Sequence, residues 1–193
     1  EKLYAKAAEG DLSVPWAHME PNPLLVDWLD ANTPESAGKK ALVVACGLGD
    51  DAEELAKRGF TVTAFDLSQS AIDWAGRRFP DSGVDYSQHN LFETPAAWQG
   101  AFDFVLEIRT VQAMPHQMAE GAIQQIVSFV APGGTLLVIC NGREPDESKH
   151  GIPWPLSREE LFLFEKHGLA ETQVEDLKRG PRRDFRVTYH NKS

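Results

Sequence analysis

Cysteine is scarce. The 193 residues hold two, Cys46 and Cys140, too few for a disulfide framework, so a reducing cytoplasm is the expected setting. No apolar run approaches the roughly 20 residues of a membrane span, and the opening EKLYAKAAEGD lacks the apolar core of a signal peptide. Positive charge is short as well. Nineteen Lys and Arg stand against 29 Asp and Glu, for a net charge of −10. An acidic chain is a poor partner for a phosphate backbone or an anionic lipid surface, so neither nucleic acid nor membrane is expected. The six histidines are scattered without paired ligand spacing, and no metal site is expected. Internal repeats and low-complexity linkers are also missing. What is present, 42% apolar and 25% charged residues, is ordinary globular composition. A chain of this size fits one domain, residues 1–193, and buries about 70% of its unfolded surface without a staple.

The chain alternates short apolar runs with amphipathic segments. After an irregular opening, Asn22 and Pro23 read as the cap and first residue of a helix carrying Leu25, Trp28 and Leu29. That helix is expected to pack over the carboxyl edge of a sheet, so that residues 1–35 form an arm over the ligand site. ALVVA (41–45) reads as a buried strand, 50–58 as a helix, TVTAF (61–65) as a strand, and Ser68 as the cap of a helix whose inner face is Ile72, Ala75 and Phe79. VDYSQ (84–88) is a weaker strand and FDFVLEI (102–108) a fourth. Residues 115–130 predict a helix with Met118, Ala122, Ile126 and Phe129 inward, and Pro132-Gly133-Gly134 a turn into TLLVIC (135–140). Ser157 and Glu160 form a capping box before Leu161 and Phe164. TQVEDL (172–177) and DFRVTYH (184–190) predict an antiparallel hairpin at the sheet edge. The alternation implies an α/β fold with helices on both faces of a parallel sheet.

The first strand runs into VACGLGDDAEELAKRG, which puts Gly47 and Gly49 in a tight strand-to-helix turn where a ligand can approach the backbone. Asp66 ends the second strand, 19 residues after Gly47, where a carboxylate accepts both hydroxyls of a ribose. The pairing predicts a nucleoside-containing cofactor; otherwise the glycines make only a turn and Asp66 only caps a helix. Gly47-Leu48-Gly49-Asp50-Asp51-Ala52 also matches the dinucleotide fingerprint. However, Asp50 and Asp51 stand where a pyrophosphate would sit, and no second domain is evident for a hydride partner. A cationic cofactor with a ribose and no phosphate, such as S-adenosylmethionine, suits the acidic turn better.

On these residues the chain resembles the class I S-adenosylmethionine-dependent methyltransferases, and within them the small thiol and thiopurine S-methyltransferases and the tellurite-resistance branch. The resemblance covers roughly residues 14–190. It is carried by Pro15-Trp16 before PNPLLVDWL, the glycine turn, TAFDLS, HNLFE, FDFVLEIRTVQAMP and APGGTLLVI. It implies a doubly wound, Rossmann-like, seven-stranded, mostly parallel sheet with an antiparallel last strand, binding S-adenosylmethionine and releasing S-adenosylhomocysteine. It further implies methionine contacts from Ala45, Gly47 and Gly49, ribose contacts from Asp66 beside Leu67, and adenine contacts from Asn90, Leu91 and Phe92. Trp16 would close over the cofactor, and Glu107 would lie beside the sulfonium. Two positions depart from the pattern. Val43 stands where relatives often carry an acid, and Asn90 where many carry Asp.

Methyl transfer to a small molecule, with a thiol or other soft nucleophile as the expected acceptor, needs alignment above all, worth about 7–11 kcal/mol. A thiolate attacks without a dedicated base. Glu107 and Arg109 are the candidate catalytic residues, Arg109 to stabilise an anionic nucleophile or bind a substrate carboxylate. His116 reads as a base or a surface residue, Trp154 as a substrate wall or a hydrophobic plug. Cys46 and Cys140 read as structural. Lys178, Arg179, Arg182, Arg183 and Arg186 read as a solvated hairpin or a guide for an anionic substrate. The rival readings are a nicotinamide-dependent oxidoreductase and a non-catalytic module that binds the adenosyl cofactor.

Overall fold

A computed structural model describes residues 19–32, 34–149, 151–180 and 182–193. Seven strands, β1 (Lys40–Val44), β2 (Thr61–Asp66), β3 (Asp85–Gln88), β4 (Phe102–Ile108), β5 (Val130–Asn141), β6 (Leu169–Arg179) and β7 (Arg182–Asn191), form one sheet of order β3-β2-β1-β4-β5-β7-β6. Strand β7 is antiparallel to both β5 and β6, while the pairs β1–β2, β2–β3 and β4–β5 are parallel. This is the doubly wound, mostly parallel sheet expected. The chain divides into two compact units, Glu1–Thr94 and Pro95–Ser193.

In the first unit, Ala41–Val44 are all buried, as a parallel strand covered on both faces must be. Helix α2 (Asp50–Lys57) turns Ala52 and Leu55 inward, and α3 (Gln69–Arg78) turns Ala71, Ile72 and Ala75 inward. The Ser68 side chain accepts the Ala71 N–H and caps α3. Phe79 is only half-buried, with the Arg78 guanidinium 4.7 Å over its ring. Helix α1 (Pro23–Asn32) buries Leu24, Leu25, Trp28 and Leu29. Its placement differs from expectation. The Asn22 N–H reaches Asp51 at the start of α2 at 2.7 Å, and Asp30 reaches Arg58 at the end of α2 at 2.7 Å. The helix therefore lies lengthwise beside α2 rather than across the carboxyl edge of the sheet.

In the second unit, β4 and β5 bury Phe104, Val105, Leu106 and Leu136–Cys140. The predicted helix over 115–130 is divided, with a 3-10 turn at His116–Met118 and α4 at Ala119–Ser128. Met118 is consequently 39% exposed instead of inward, because it stands at the helix boundary. The Pro132-Gly133-Gly134 stretch is a bulge inside a longer β5. Partners step from Phe102↔Val130 to Phe104↔Thr135. The capping box at Ser157 and Glu160 forms as predicted and opens two short helices, α5 (Arg158–Leu161) and α6 (Leu163–Lys166). The hairpin also forms, with longer strands. The Phe164 and Tyr189 rings stack 5.1 Å apart beneath it. No described helix is long and apolar enough to cross a membrane.

Candidate functional site

The turn after β1 compresses three left-handed residues into five, Ala45 at φ 51°, Gly47 at 55° and Gly49 at 90°. A left-handed alanine costs about 1–2 kcal/mol, which the surrounding bonds must offset. The Cys46 N–H donates to Phe65 O at 2.9 Å and the Gly49 N–H to Cys46 O at 3.1 Å. The turn and Asp66 are joined directly: the Gly47 N–H donates to Asp66 Oδ2 at 3.0 Å and the Ser68 N–H to Oδ1 at 2.9 Å. Burial raises the Asp66 pKa, and the two N–H groups counteract it. Each carboxylate oxygen retains a lone pair for a further donor. Asp66 is therefore a fixed acceptor at a strand end, as ribose recognition requires.

The segment after β3 is drawn to the same strand end by the His89 N–H, which donates to Asp66 O at 3.0 Å. Asn90 caps the turn Leu91–Glu93 by accepting the Phe92 N–H at 3.1 Å. Leu91 is 5% exposed, so its side chain belongs to the core and its backbone alone faces outward chemistry. Leu67 and Phe92 are 67% and 41% exposed, large apolar groups on the two loops that the His89 bond ties together. Such surface favours a flat apolar ligand. Trp16 lies outside the described residues.

The acidic pair at the start of α2 has a different role from the one its charge suggested. Arg78 donates to both carboxylate oxygens of Asp50 at 2.6 Å and to Leu48 O at 2.8 Å. Asp51 accepts the Asn22 N–H. Both carboxylates tie the turn to its neighbours, and Arg78 balances one of them. Their repulsion of a pyrophosphate is accordingly weaker than their spacing implied. Arg78, Glu53 and Tyr86, all bonded around the turn, were not visible as site residues in the sequence, because their contacts span 28 to 37 positions.

In the second unit, Glu107 near the end of β4 is fully buried. Its Oε1 accepts the Thr110 N–H at 2.6 Å and the Val111 N–H at 3.1 Å; its Oε2 has no partner. Burial raises its pKa to about 7, against the opposing pull of those two N–H groups and of Arg109. Such an orphaned buried oxygen marks a group kept for a proton or a ligand. Arg109 adopts φ 58°, with Nε donating to Asn141 Oδ1 at 2.8 Å and Nη2 to Asp184 Oδ1 at 3.0 Å. Asp184 is buried and the Arg109 side chain 32% exposed.

Other candidates resolve as structural. Trp154 is 2% exposed, donates to Met114 O at 2.7 Å, and carries the His116 ring 4.2 Å away. It is a plug, and His116 is its exposed cover. The buried Gln112 donates to Asn141 O at 2.8 Å and to Trp154 O at 2.6 Å. Cys140 is buried and Cys46 half-buried, both as free thiols, and burial pushes both thiol pKa values up. In the basic hairpin, Arg183 pairs with Asp176 and Glu144, and Arg186 with Glu175. No described group of His, Cys, Asp and Glu is arranged to hold a metal.

Residues 41–134 match the family described as "Methyltransferase domain". A curated "Ubiquinone biosynthesis O-methyltransferase" of Azotobacter vinelandii is 34% identical over 128 residues, 65% of this chain and 54% of the relative. The chain spans about half the length of the curated relatives it matches. Among solved structures, the Burkholderia thailandensis 1,6-didemethyltoxoflavin-N1-methyltransferase, with bound 1,6-didemethyltoxoflavin and S-adenosylhomocysteine, is similar at TM-score 0.79 and 15% identity. That match covers 100% of this chain and 86% of the other. The [4+2]-cyclase SpnF is similar at TM-score 0.73 and 18% identity, covering 87% and 79%. A shared fold therefore does not by itself fix a reaction.

Proposed function

We propose that this chain is a class I S-adenosylmethionine-dependent methyltransferase that transfers a methyl group from S-adenosylmethionine to a small molecule, working as one domain in a cytoplasmic setting. The observation that carries this reading is the bond between the Gly47 N–H and Asp66 Oδ2, flanked by the exposed Leu67 and Phe92. Together they supply a close backbone approach, a fixed ribose acceptor and apolar faces for a base. Ala45, Gly47 and Gly49 take the methionine portion. Asp66 takes the ribose. Leu67, Asn90, Phe92 and the Leu91 backbone take the adenine.

When bound, the cofactor supplies a methyl carbon already activated by its sulfonium, and S-adenosylhomocysteine is the product. The residues of this chain then have to orient the acceptor and manage its proton. Glu107 serves on the methyl side. There its buried carboxylate would balance the sulfonium charge or orient the methionine amino group. Arg109, fixed through Nε and Nη2, offers its remaining edge to an anionic acceptor. The narrower reading of a thiol acceptor rests on the resemblance to the thiol branch, whereas the curated relative is named for O-methylation.

Turnover of radiolabelled methyl donor with a panel of thiols, phenols and amines tests the proposal. Transfer to at least one class, weakened by Asp66→Ala at limiting cofactor, is the expected result. Cofactor binding with no transfer to any class supports the non-catalytic module instead. A bound nicotinamide dinucleotide supporting hydride transfer supports the oxidoreductase.

A further inference from the structure

We propose that Tyr86 is a positioning residue for the cofactor: its side chain, braced by Glu53, sets where the glycine turn lies against Asp66, and so governs affinity without touching the ligand. The inference rests on the cofactor reading above. A β-carbon built on Gly49 would lie 2.4 Å from the Tyr86 hydroxyl oxygen and 3.0 Å from the ring carbon that bears it. The α-carbon of Gly49 therefore rests on the tip of the tyrosine. Gly49 must be glycine for this contact as well as for its φ of 90°.

The tyrosine tip is itself fixed. Its hydroxyl donates to Glu53 Oε1 at 2.8 Å, and the Ser82 hydroxyl donates to the same oxygen at 2.6 Å. The Glu53 N–H in turn donates to Gly49 O at 2.9 Å. Glu53 thus joins the turn through its backbone and Tyr86 through its carboxylate, closing a ring. Burial and the adjacent Glu53 hold the Tyr86 pKa far above its usual range, so the hydroxyl stays a donor at every working pH.

The turn is gripped at two points. Gly47 is bonded to Asp66 on β2, and Gly49 is seated on Tyr86 of β3, which lies opposite Ala64 of the same β2. A packed ring is nearly incompressible, while a hydrogen bond tolerates a few tenths of an ångström. The tyrosine therefore fixes the separation and the Gly47–Asp66 bond follows. Strand β3 is short, and none of its residues is fully buried. Carrying Tyr86 beneath the turn is the specific task this geometry gives it.

Calorimetry with S-adenosylhomocysteine on the wild type, Tyr86→Phe, Glu53→Ala, Gly49→Ala and the Gly49→Ala/Tyr86→Phe double variant tests the assignment. Tyr86→Phe is expected to weaken binding about tenfold through displacement of the turn against Asp66, measured well below its melting temperature, which falls by the few degrees that one lost side-chain hydrogen bond costs. The effects of Gly49→Ala and Tyr86→Phe should be non-additive, because removing the hydroxyl removes the worst clash of the new β-carbon. If Tyr86→Phe does not fold, Glu53→Ala reads the same brace from its other end. Wild-type affinity in both Tyr86→Phe and Glu53→Ala, or strict additivity in the cycle, would overturn the assignment. Failure of the wild type to bind S-adenosylhomocysteine would instead overturn the cofactor reading on which it rests.

Discussion

The two units build their chemistry in opposite ways. Around the glycine turn, the proposed groups are a backbone bend and one carboxylate, held by bonds between the ends of adjacent strands. Around Glu107 and Arg109, they are side chains brought together from distant parts of the chain. Arg109 meets Asp184 across 75 positions, and Gln112 meets Trp154 across 42. A site made from backbone depends on turn geometry and repeats wherever that geometry does. A site made from side chains is free to vary, which is where acceptor specificity in such folds belongs.

The largest expected effect lies in the side-chain site. Glu107 has a folded pKa of about 7 against an ordinary value of 4.5. The folded state therefore binds its proton more tightly than the unfolded state does. The resulting stability is fully present below about pH 4.5 and is lost as pH rises through about 7, a span worth about 3 kcal/mol. Thermal unfolding across that range should show the decline in the wild type and a flatter profile in Glu107→Gln. Identical profiles would mean that Glu107 is solvated.

In the backbone site, Asp66→Ala removes an acceptor that also holds Gly47. Affinity for S-adenosylhomocysteine should fall by about 1.5–3 kcal/mol; unchanged affinity would contradict the ribose assignment. Arg109→Ala separates the two sites. It strands the buried Asp184, so stability should drop by about 1–3 kcal/mol, while cofactor affinity stays as in the wild type. A matching loss of affinity would show that the two regions are not energetically distinct. The smallest effect is expected from Ser68→Ala. It deletes the α3 cap but keeps the N–H that binds Asp66, costing about 1 kcal/mol of stability and no cofactor affinity.

This contrast also explains what could be read from the residues alone. Strands β1, β2, β4 and β5 announce themselves as apolar runs, and β4 falls on the expected 102–108. The Gly47–Asp66 relation is legible because strand ends in a parallel sheet are aligned by register. The role of Tyr86 is not, since nothing in VDYSQ marks a tyrosine that will seat a glycine 37 positions earlier. The placement of α1 is not legible, because amphipathicity says which face is buried but not against what. Asp50 and Asp51 look like free charge until Arg78 and the Asn22 N–H are seen to claim them. Trp154 reads equally as wall or plug until its burial and its bond to Met114 O decide for the plug.

The central claim is that the turn after β1 and Asp66 together grip an adenosyl group that carries a sulfonium. Titration calorimetry of the intact chain with S-adenosylmethionine, S-adenosylhomocysteine and NAD tests it most directly. The account predicts saturable binding of both sulfur ligands and none of NAD. Tight NAD binding without either sulfur ligand would contradict it.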